Sequence, residues 1–455
     1  MDTKKLRQKI LDLAIHGKLV PQDSNDEPAS VLLERIRAEK ERLVKEGKIK
    51  KSKSSRTTDT PHYENVPFEV PSSWEWTTVE NICSKIGSGS TPKGSNYAPD
   101  GILFFRSQNV YNDGVVLEDI KYISEEVHQS MIGTEVLPND LLLNITGGSL
   151  GRCAIVPNEI DRGNVSQHVC ILRPIIIKPE YLHTFILSSF FTKTMKITGS
   201  GREGLPKYNL EKMLLPVPPL AEQTRIIHEL NKWNDWVIAI DNNQQDLVET
   251  IKQTKSKILD LAIHGKLVPQ DENDESASEL LKRINPNAEI TCDNGHYQNL
   301  PGSWCVAPMG MLCSLSDGEK QIDVERINLD VKYLRGERDA KTLTAGKFTP
   351  ANSLLILVDG ENSGEVFRTP IEGYQGSTFK RLSIKDDMNT DYVLQVINLH
   401  RKILRENKVG SAIPHLNKKL FKEIEVPIPP YKEQQRIVEA INLAFKYLDT
   451  ILESL

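Results

Sequence analysis

Apolar residues recur at alternating steps of four and three through the middle of the chain, at Ile226, Leu230, Trp233, Val237, Ile240, Leu247, Ile251, Ile258 and Leu261, with Gln244 and Thr254 the only polar members of the series. This seam predicts one helix over 220–263, about 66 Å long at ~1.5 Å per residue, and a stripe that long calls for a partner helix. Prolines 216, 218 and 219 set where the helix begins, and Gly265 and Pro269 set where it ends. A second seam, Ile437, Ile441, Ala444, Leu448, Ile451 and Leu455, runs to the last residue, and Leu6, Ile10 and Leu13 carry a third near the first. Between the seams, apolar runs predict strands at 102–106, 140–146, 152–156 and 167–173 with a helix at 179–197. Further on they predict strands at 353–358, 364–368 and 378–384 with a helix near 390–405.

The chain repeats itself. Residues 9–36 and 257–284 agree at 24 of 28 positions, with KILDLAIHGKLVPQD common to both. PLAEQTRII (219–227) returns as PYKEQQRIV (430–438), VPSSWEW (70–76) as LPGSWCV (300–306), and LPKYN (205–209) as IPHLN (413–417). A spacing this long means duplicated domains rather than a solenoid. The first pair is offset by 248 and the second by 211, so Leu455 corresponds to Gln244 and Met1 to Glu249. The N-terminal segment thus takes up almost where the C-terminal helix stops. The expectation is a circularly permuted duplication, in which the two terminal helices abut and together pair antiparallel with the central helix under pseudo-two-fold symmetry. Two unrelated amphipathic helices would be the plainer reading, but repeat identity and complementary truncation weigh against it.

The fold class expected is α+β, with two mixed α/β bodies separated by two long antiparallel coiled-coil helices. The segments are an N-terminal helical region (1–36), a charged linker (37–65), a first body (66–218), a central region with the long helix (219–284), a short linker (285–296), a second body (297–428) and a C-terminal helix (429–455). The coiled-coil positions are Ile226, Leu230, Trp233, Val237, Ile240, Leu247, Ile251, Ile258, Ile437, Ile441, Leu448 and Ile451.

Composition narrows the classes. Of 455 residues, 38% are hydrophobic and 26% charged, which suits packed domains. A net charge of −5 excludes a uniformly basic nucleic-acid binder but not a local basic face. No apolar run approaches the ~18 residues of a membrane span, and the first residues lack an apolar signal core, so a cytoplasmic protein is expected. The six cysteines form no C-x-x-C pair, and Cys292 with His296 lacks a second pair of ligands, so no metal site is expected.

Catalytic motifs fail on context. GSGREG (199–204) lacks a preceding strand and is followed by Leu205-Pro206. Gly89 to Gly94 has P-loop spacing, but Ser95 stands where Lys is needed. Asn285-Pro286-Asn287 lacks the aromatic partner that amino-methyltransferases use around a flipped base. Polar loops suited to DNA are better represented: SGSTPKGSNY (88–97), FRSQNV (105–110), NITGGSLGR (144–152), VSQH (165–168) and SGREGLPKYN (200–209) in the first body. The second has GEKQ (318–321), LRGER (334–338), DGENSGE (359–365), GSTFKR (376–381) and SAIPHLN (411–417). They supply Arg, Gln and Asn for base edges and Lys, Ser and Thr for phosphates. The candidate DNA-contacting residues are Thr91, Lys93, Arg106, Gln108, Asn109, Gln167, Arg202, Lys207 and Tyr208, then Lys320, Arg335, Arg338, Asn362, Lys380, Arg381 and His415. Both bodies are near neutral, so phosphate affinity would lean on partner subunits.

These features together, LDLAIHGKLVPQD twice, the two P-x-P-P-x-x-E-Q helix openings, the Pro-x-Ser-Trp entries and the STPKGSNY, FRSQNV and ITGGSLG segments, resemble the specificity subunits of Type I restriction–modification systems over essentially the whole chain. The resemblance implies a noncatalytic, DNA-binding restriction-system subunit whose two bodies are target recognition domains, each reading half of a bipartite double-stranded DNA target. It implies that the helix pair sets the spacer, and that two methyltransferase and two restriction subunits dock on it. DNA methylation at adenine, S-adenosylmethionine binding and ATP and Mg chemistry would belong to those partners, with no cofactor on this chain. A symmetric protein–protein scaffold without DNA reading, and a specificity subunit of a fused restriction–methyltransferase system, are the alternatives.

Overall fold

The computed structural model describes residues 2–50, 66–92, 94, 97–198, 203–286, 297, 299–408 and 415–455. It divides into two units, Met1–Asn243 and Gln244–Leu455.

In the first unit, helix α1 (Thr3–Ile15) starts at Asp2, whose carboxylate accepts from Lys5 N at 3.0 Å. It ends at Gly17, which takes a left-handed φ of 65°, and Lys18 N then reaches back to Leu13 O at 3.0 Å. Helix α2 (Ala29–Lys45) follows. It overruns the boundary expected at 36, so the first nine residues of the supposed linker are helical; residues 51–65 lie outside the described set. Strands β1 (Glu75–Thr78), β2 (Cys83–Ser88), β3 (Ile102–Phe105), β4 (Lys121–Ile123), β5 (Glu135–Val136), β6 (Leu141–Asn144), β7 (Cys153–Ile155), β8 (Gly163–Val165), β9 (Val169–Pro174) and β10 (Leu214–Val217) build the body. The helix expected at 179–197 is two, α3 (Pro179–Leu187) and a short one at Ser189–Thr194. The break falls at Ser188, which is extended and turns its hydroxyl to Phe191 N at 3.2 Å, capping the second piece.

The 44-residue helix α4 (Leu220–Ile263) opens where Pro219 ends β10's extension, as its seam foretold. Its residues to 243 belong to the first unit and the rest to the second. α1 lies antiparallel on the first part: Thr3 bonds Asp241, and Arg7 donates to Asn234 Oδ1 at 2.7 Å and to Asp241 at 3.1 Å. In the second unit, helix α5 (Ala277–Ile284) is the shorter counterpart of α2. Strands β11 (Cys305–Pro308), β12 (Cys313–Ser316), β13 (Glu319–Leu329), β14 (Thr342–Thr349), β15 (Leu354–Leu357), β16 (Val366–Arg368), β17 (Gly373–Gln375), β18 (Phe379–Ile384) and β19 (Glu425–Ile428) build the second body together with helix α6 (Thr390–Glu406). Helix α7 (Tyr431–Glu453) packs antiparallel on the rest of α4, with Gln244 donating to Leu455 O at 2.8 Å and Lys255 paired to Asp449.

The two bodies share a topology that their sequences hide. The first has an antiparallel sheet in the order β2-β9-β6-β7 and a pair β1-β10; the second has β12-β18-β15-β16 and β11-β19. Residue alternation places each sheet between two cores. Leu141, Leu143, Cys170 and Leu172 face α3, while Leu142, Ala154, Val169 and Ile171 face a second sheet, β4-β3-β8-β5. In the second unit Leu354, Ile356 and Leu382 face α6, and Leu355, Leu357 and Phe379 form a smaller core with Leu329. There the second sheet is replaced by β13, β14 and β17.

The seam is only partly buried. Ile226, Val237, Ile251, Ile437 and Ile441 are buried, and Leu230, Trp233, Ile240, Ile258 and Leu448 are half-buried. Leu247 and Ile451, expected on the seam, are exposed. A straight helix drifts by about 20° per heptad from a seven-residue repeat, so a seam written in sevens leaves the line of contact. No helix among the described residues is long and apolar enough to cross a membrane.

Candidate nucleic-acid interface

The repeated motifs, far apart in sequence, close into one polar lock in each unit. Trp74 Nε1 donates to Glu222 Oε2 at 2.9 Å, and Gln22 Nε2 donates to Glu222 Oε1 at 2.7 Å. Trp304 Nε1 reaches Glu433 at 3.1 Å, and Gln270 Nε2 reaches the same carboxylate at 2.7 Å. Arg225 pairs with the nearly buried Asp26, and Arg436 with Asp274. The next residue of each P-P-x-x-E-Q motif splices the helix to the body. Gln223 Oε1 accepts from Lys178 N and its Nε2 donates to Pro218 O; Gln434 does the same with Asn389 N and Pro429 O. Tyr181 and Tyr392 donate their hydroxyls to Pro216 O and Pro427 O, each at 2.7 Å. Burial pushes the Glu222 and Glu433 carboxyls up, against the hydrogen bonds that favour their charge. These residues hold each body on its helix. The repeats were visible in the sequence; their convergence on one carboxylate was not.

At one end of the first body's sheet, all five polar loops are bonded to one another. Gly89 N donates to Val169 O, Ser166 N to Phe105 O, Asn144 Nδ2 to Ser107 O, Ile145 N to His168 O, and Gly147 N to Glu203 O. Thr91 and Gln167, named from different loops, meet: the hydroxyl donates to the amide oxygen. Gln108 is exposed with no side-chain bond among the described residues, as is Tyr208, which is 57% exposed. Lys207 is exposed and, among the described residues, pairs only with Glu211, one helical turn on. Arg106 is half-buried and donates to Asp119 O at 2.7 Å. Asn109 is a correction: it is fully buried. Its oxygen accepts from Arg106 N and its amide donates to Val116 O and Glu118 O, so it shapes the loop and cannot reach a ligand. Lys93 and Arg202 lie outside the described residues.

The second body gathers its loops the same way. Gly318 N bonds the Gln375 side chain, Gly376 N bonds Leu329 O, Val358 N bonds Thr378 O, and Leu416 N bonds Val358 O. His415 Nδ1 lies 2.6 Å from Asp359. Asp317 draws together Lys347 at 2.8 Å and Lys380 at 2.6 Å, and these two ammonium groups hold its carboxyl down to about 2. Lys320 and Arg381 have no side-chain partner among the described residues, whereas Arg335 is tied to Glu365 and Arg338 to Asp330. Asn362 is half-buried in the loop before β16. Lys380 and Arg381, neighbours on β18, project to opposite faces of the sheet, so they cannot act as one pair. Sequence reasoning missed Lys347, and it missed β13 and β14 altogether. The period-two alternation of KQIDV was the available signal, broken by Arg326.

The described residues bring together no group of His, Cys, Asp or Glu that could hold a metal. Burial pushes the Cys170 and Cys313 thiols up to about 12 and those of Cys83 and Cys153 higher still, which leaves them poor nucleophiles. The arrangement is two bonded loop clusters carrying amide, hydroxyl, ammonium and guanidinium donors.

Comparison with known proteins agrees with this chemistry. A family model described as the Type I restriction modification DNA specificity domain matches residues 71–250 and 322–453. The chain is 34% identical over 335 residues to the specificity subunit of the Type I restriction enzyme EcoAI of Escherichia coli, covering 62% of this chain and 55% of that protein. To the EcoEI specificity subunit of the same organism it is 33% identical, covering 62% and 54%. The chain thus spans about half the length of these curated relatives. Among solved structures, one from a study of complex assembly and conformational transition of the type I R-M system superposes with a TM-score of 0.57 at 17% identity, covering 85% of this chain and 94% of that one. The HsdS subunit from Thermoanaerobacter tengcongensis gives 0.51 at 18%, covering 85% and 93%. At these identities the structures speak for the fold alone.

Proposed function

Because the chain belongs to the Type I restriction modification DNA specificity family, we propose that it is a noncatalytic subunit whose two units each read one half of a bipartite DNA target. The observation that carries this reading is the pairing of like frames with unlike loops. The same polar lock and the same four-strand order recur in both units, while the loop clusters above them carry different residues. Like frames suit two readers of one duplex, and unlike loops suit two different half-sites. Side chains reach base edges through the Gln, Arg and Lys donors named above, and phosphates through Thr, Ser and backbone N–H groups. Methyl transfer to adenine, S-adenosylmethionine, ATP and Mg belong in this proposal to methyltransferase and restriction subunits that dock on the helical regions.

Helix α4 contributes residues to both units, and α1 and α7 each pack antiparallel on part of it; these facts support a measuring role. By the offsets of 248 and 211 α1 takes up the repeat where α7 stops, and in this proposal the helical regions set the spacer. Heads on one face of B-DNA sit roughly 34–36 Å apart. Inserting four residues into α4 lengthens it by about 6 Å, close to two base pairs at ~3.4 Å each. Mapping methylated adenines made by the complete complex with such an insert should return the same two half-sites with a longer spacer. Unchanged spacing refutes the measuring role, and loss of any sequence preference in the unmodified complex refutes the reading of DNA.

A further inference from the structure

The two bodies agree in the sheet that packs on their helices and differ in what lies beyond it. In the first, β3 is four residues long and pairs parallel with β8; in the second, β13 pairs parallel with β17 in the same way but runs for eleven residues. The extra length pairs with β14 as a two-stranded antiparallel ribbon, from Glu319 opposite Phe348 to Ile327 opposite Thr342. One face of this ribbon is seated. Gly346 lies so close to the buried Tyr374 ring that an added Cβ would fall 2.6 Å from it, and the Tyr374 hydroxyl donates to Val324 O at 2.7 Å. Gly318 at its root bonds the Gln375 side chain, which ties the ribbon to the polar loop at 376–381.

The other face is open and oddly composed. Strand alternation puts Lys320 directly opposite Lys347, then Ile322 opposite Ala345, then Leu343, in one outward stripe. Ile322 is 65% exposed, and Val324 and Leu343 are each 41% exposed. Like charges directly across a ribbon oppose each other, and exposed β-branched and leucine side chains gain nothing from water, so the stripe is costly without a ligand. Lys320 has no partner among the described residues, and Lys347 shares a single carboxylate, Asp317, with Lys380. Two ammonium groups sharing one acid, with Lys320 facing one of them across the ribbon, favour an anionic surface. Asp323, in a left-handed conformation, and Glu325 sit within the bulge between Ile322 and Arg326; Arg326 itself is paired with Glu372. A carboxylate there has a use on a base edge, since it accepts from cytosine N4.

Resting on the DNA reading above, we infer that the ribbon Glu319–Thr349 is the groove-entering element of the second unit, with Ile322 and Leu343 on thymine methyl groups and Lys320 and Lys347 on flanking phosphates. A two-stranded ribbon fits the major groove, which is about 12 Å wide, and the thymine 5-methyl is the apolar feature presented there. Ile322 and Leu343 are therefore specificity-determining residues for one half-site and silent at the other.

The test uses the complete complex and duplexes carrying its mapped target, with thymine replaced by deoxyuridine in one half at a time. Deoxyuridine in one half should weaken binding about fourfold per buried methyl lost, and the same change in the other half should do nothing through the ribbon. The double variant Ile322→Ser, Leu343→Ser should bind thymine and deoxyuridine duplexes equally. Lys320→Ala, a second exposed change, should lower the slope of log K against log salt by about 0.9 while leaving the thymine preference intact. Persistent deoxyuridine sensitivity in the double variant overturns the inference, as does a half-site with no A·T pair. Failed assembly of the double variant with its partner subunits, at unchanged thymine preference, assigns the ribbon to a protein contact and also overturns it. If the unmodified complex prefers its mapped target no more than a scrambled duplex, the DNA reading itself fails instead.

Discussion

Gly17 and Gly47 end helices α1 and α2 in the same manner but in different surroundings, which makes them a matched pair. Both have left-handed backbones, with φ of 65° and 70°, and in both the next residue reaches back to close the helix: Lys18 N to Leu13 O at 3.0 Å and Lys48 N to Leu43 O at 2.9 Å. A Cβ on Gly47 meets nothing within 4 Å, whereas on Gly17 it falls 2.5 Å from Pro71 Cγ and Cδ, with the Trp74 ring behind at 3.4 Å. Gly47→Ala therefore carries only the left-handed strain of an L-residue, about 1–2 kcal/mol. Gly17→Ala adds overpacking of about 1–3 kcal/mol, because the added atom is crowded by Pro71 and by the Trp74 ring, which is itself held by its bond to Glu222. With a shift of about 2–4 °C per kcal/mol for a unit of this size, Gly47→Ala should lower the melting temperature of the Met1–Asn243 transition by about 2–8 °C and Gly17→Ala by roughly twice that. Calorimetry of the full chain reads the shift, and adding Pro71→Ala to Gly17→Ala should recover part of the loss. Equal shifts for the two single variants would refute the claim that the proline seat, rather than the backbone angle, demands glycine in the repeated His-Gly-Lys segment.

The lock in the second unit gives two more expectations. Trp304→Phe removes the indole donor from the buried Glu433 and should cost about 1–3 kcal/mol in the Gln244–Leu455 transition; a urea midpoint that does not move would mean the lock holds nothing. Burial raises the Glu433 pKa, so its stabilising contribution is complete below the unfolded glutamate value of about 4.3 and is lost as pH rises through the folded value. Wild type should therefore lose stability relative to Glu433→Gln as pH rises above about 4.3, and parallel pH profiles of the two unfolding midpoints would contradict this.

Much of the frame could be read from the residues because its signals are local. The bounds of α4 followed from prolines that cannot enter a helix and a glycine that ends one, and strands such as Leu141–Asn144 and Leu354–Leu357 from short apolar runs with no polar face. Local signals also misled. The charged run after residue 36 reads as linker, yet it extends α2 to Lys45, since Leu32 and Ile36 anchor a helix whose other faces are free to be charged. Asn109 looked like a base reader because polarity in a loop says nothing of direction; the fold turned it inward to satisfy two carbonyls.

What the sequence alone determined is the bookkeeping of copies: two offsets, identical helix-ending segments and unlike loops, all carried by residue identity along the chain. Only tertiary structure decided which of those residues meet. That Trp74, Gln22 and Glu222 form one hydrogen-bonded group, that Thr91 lies against Gln167, that Lys380 and Arg381 part company, and that KQIDV rises as a ribbon all depend on strand order and pairing register. Such pairings join residues tens to hundreds of positions apart. No local preference encodes them, because they follow from how separate apolar faces are buried against one another at once.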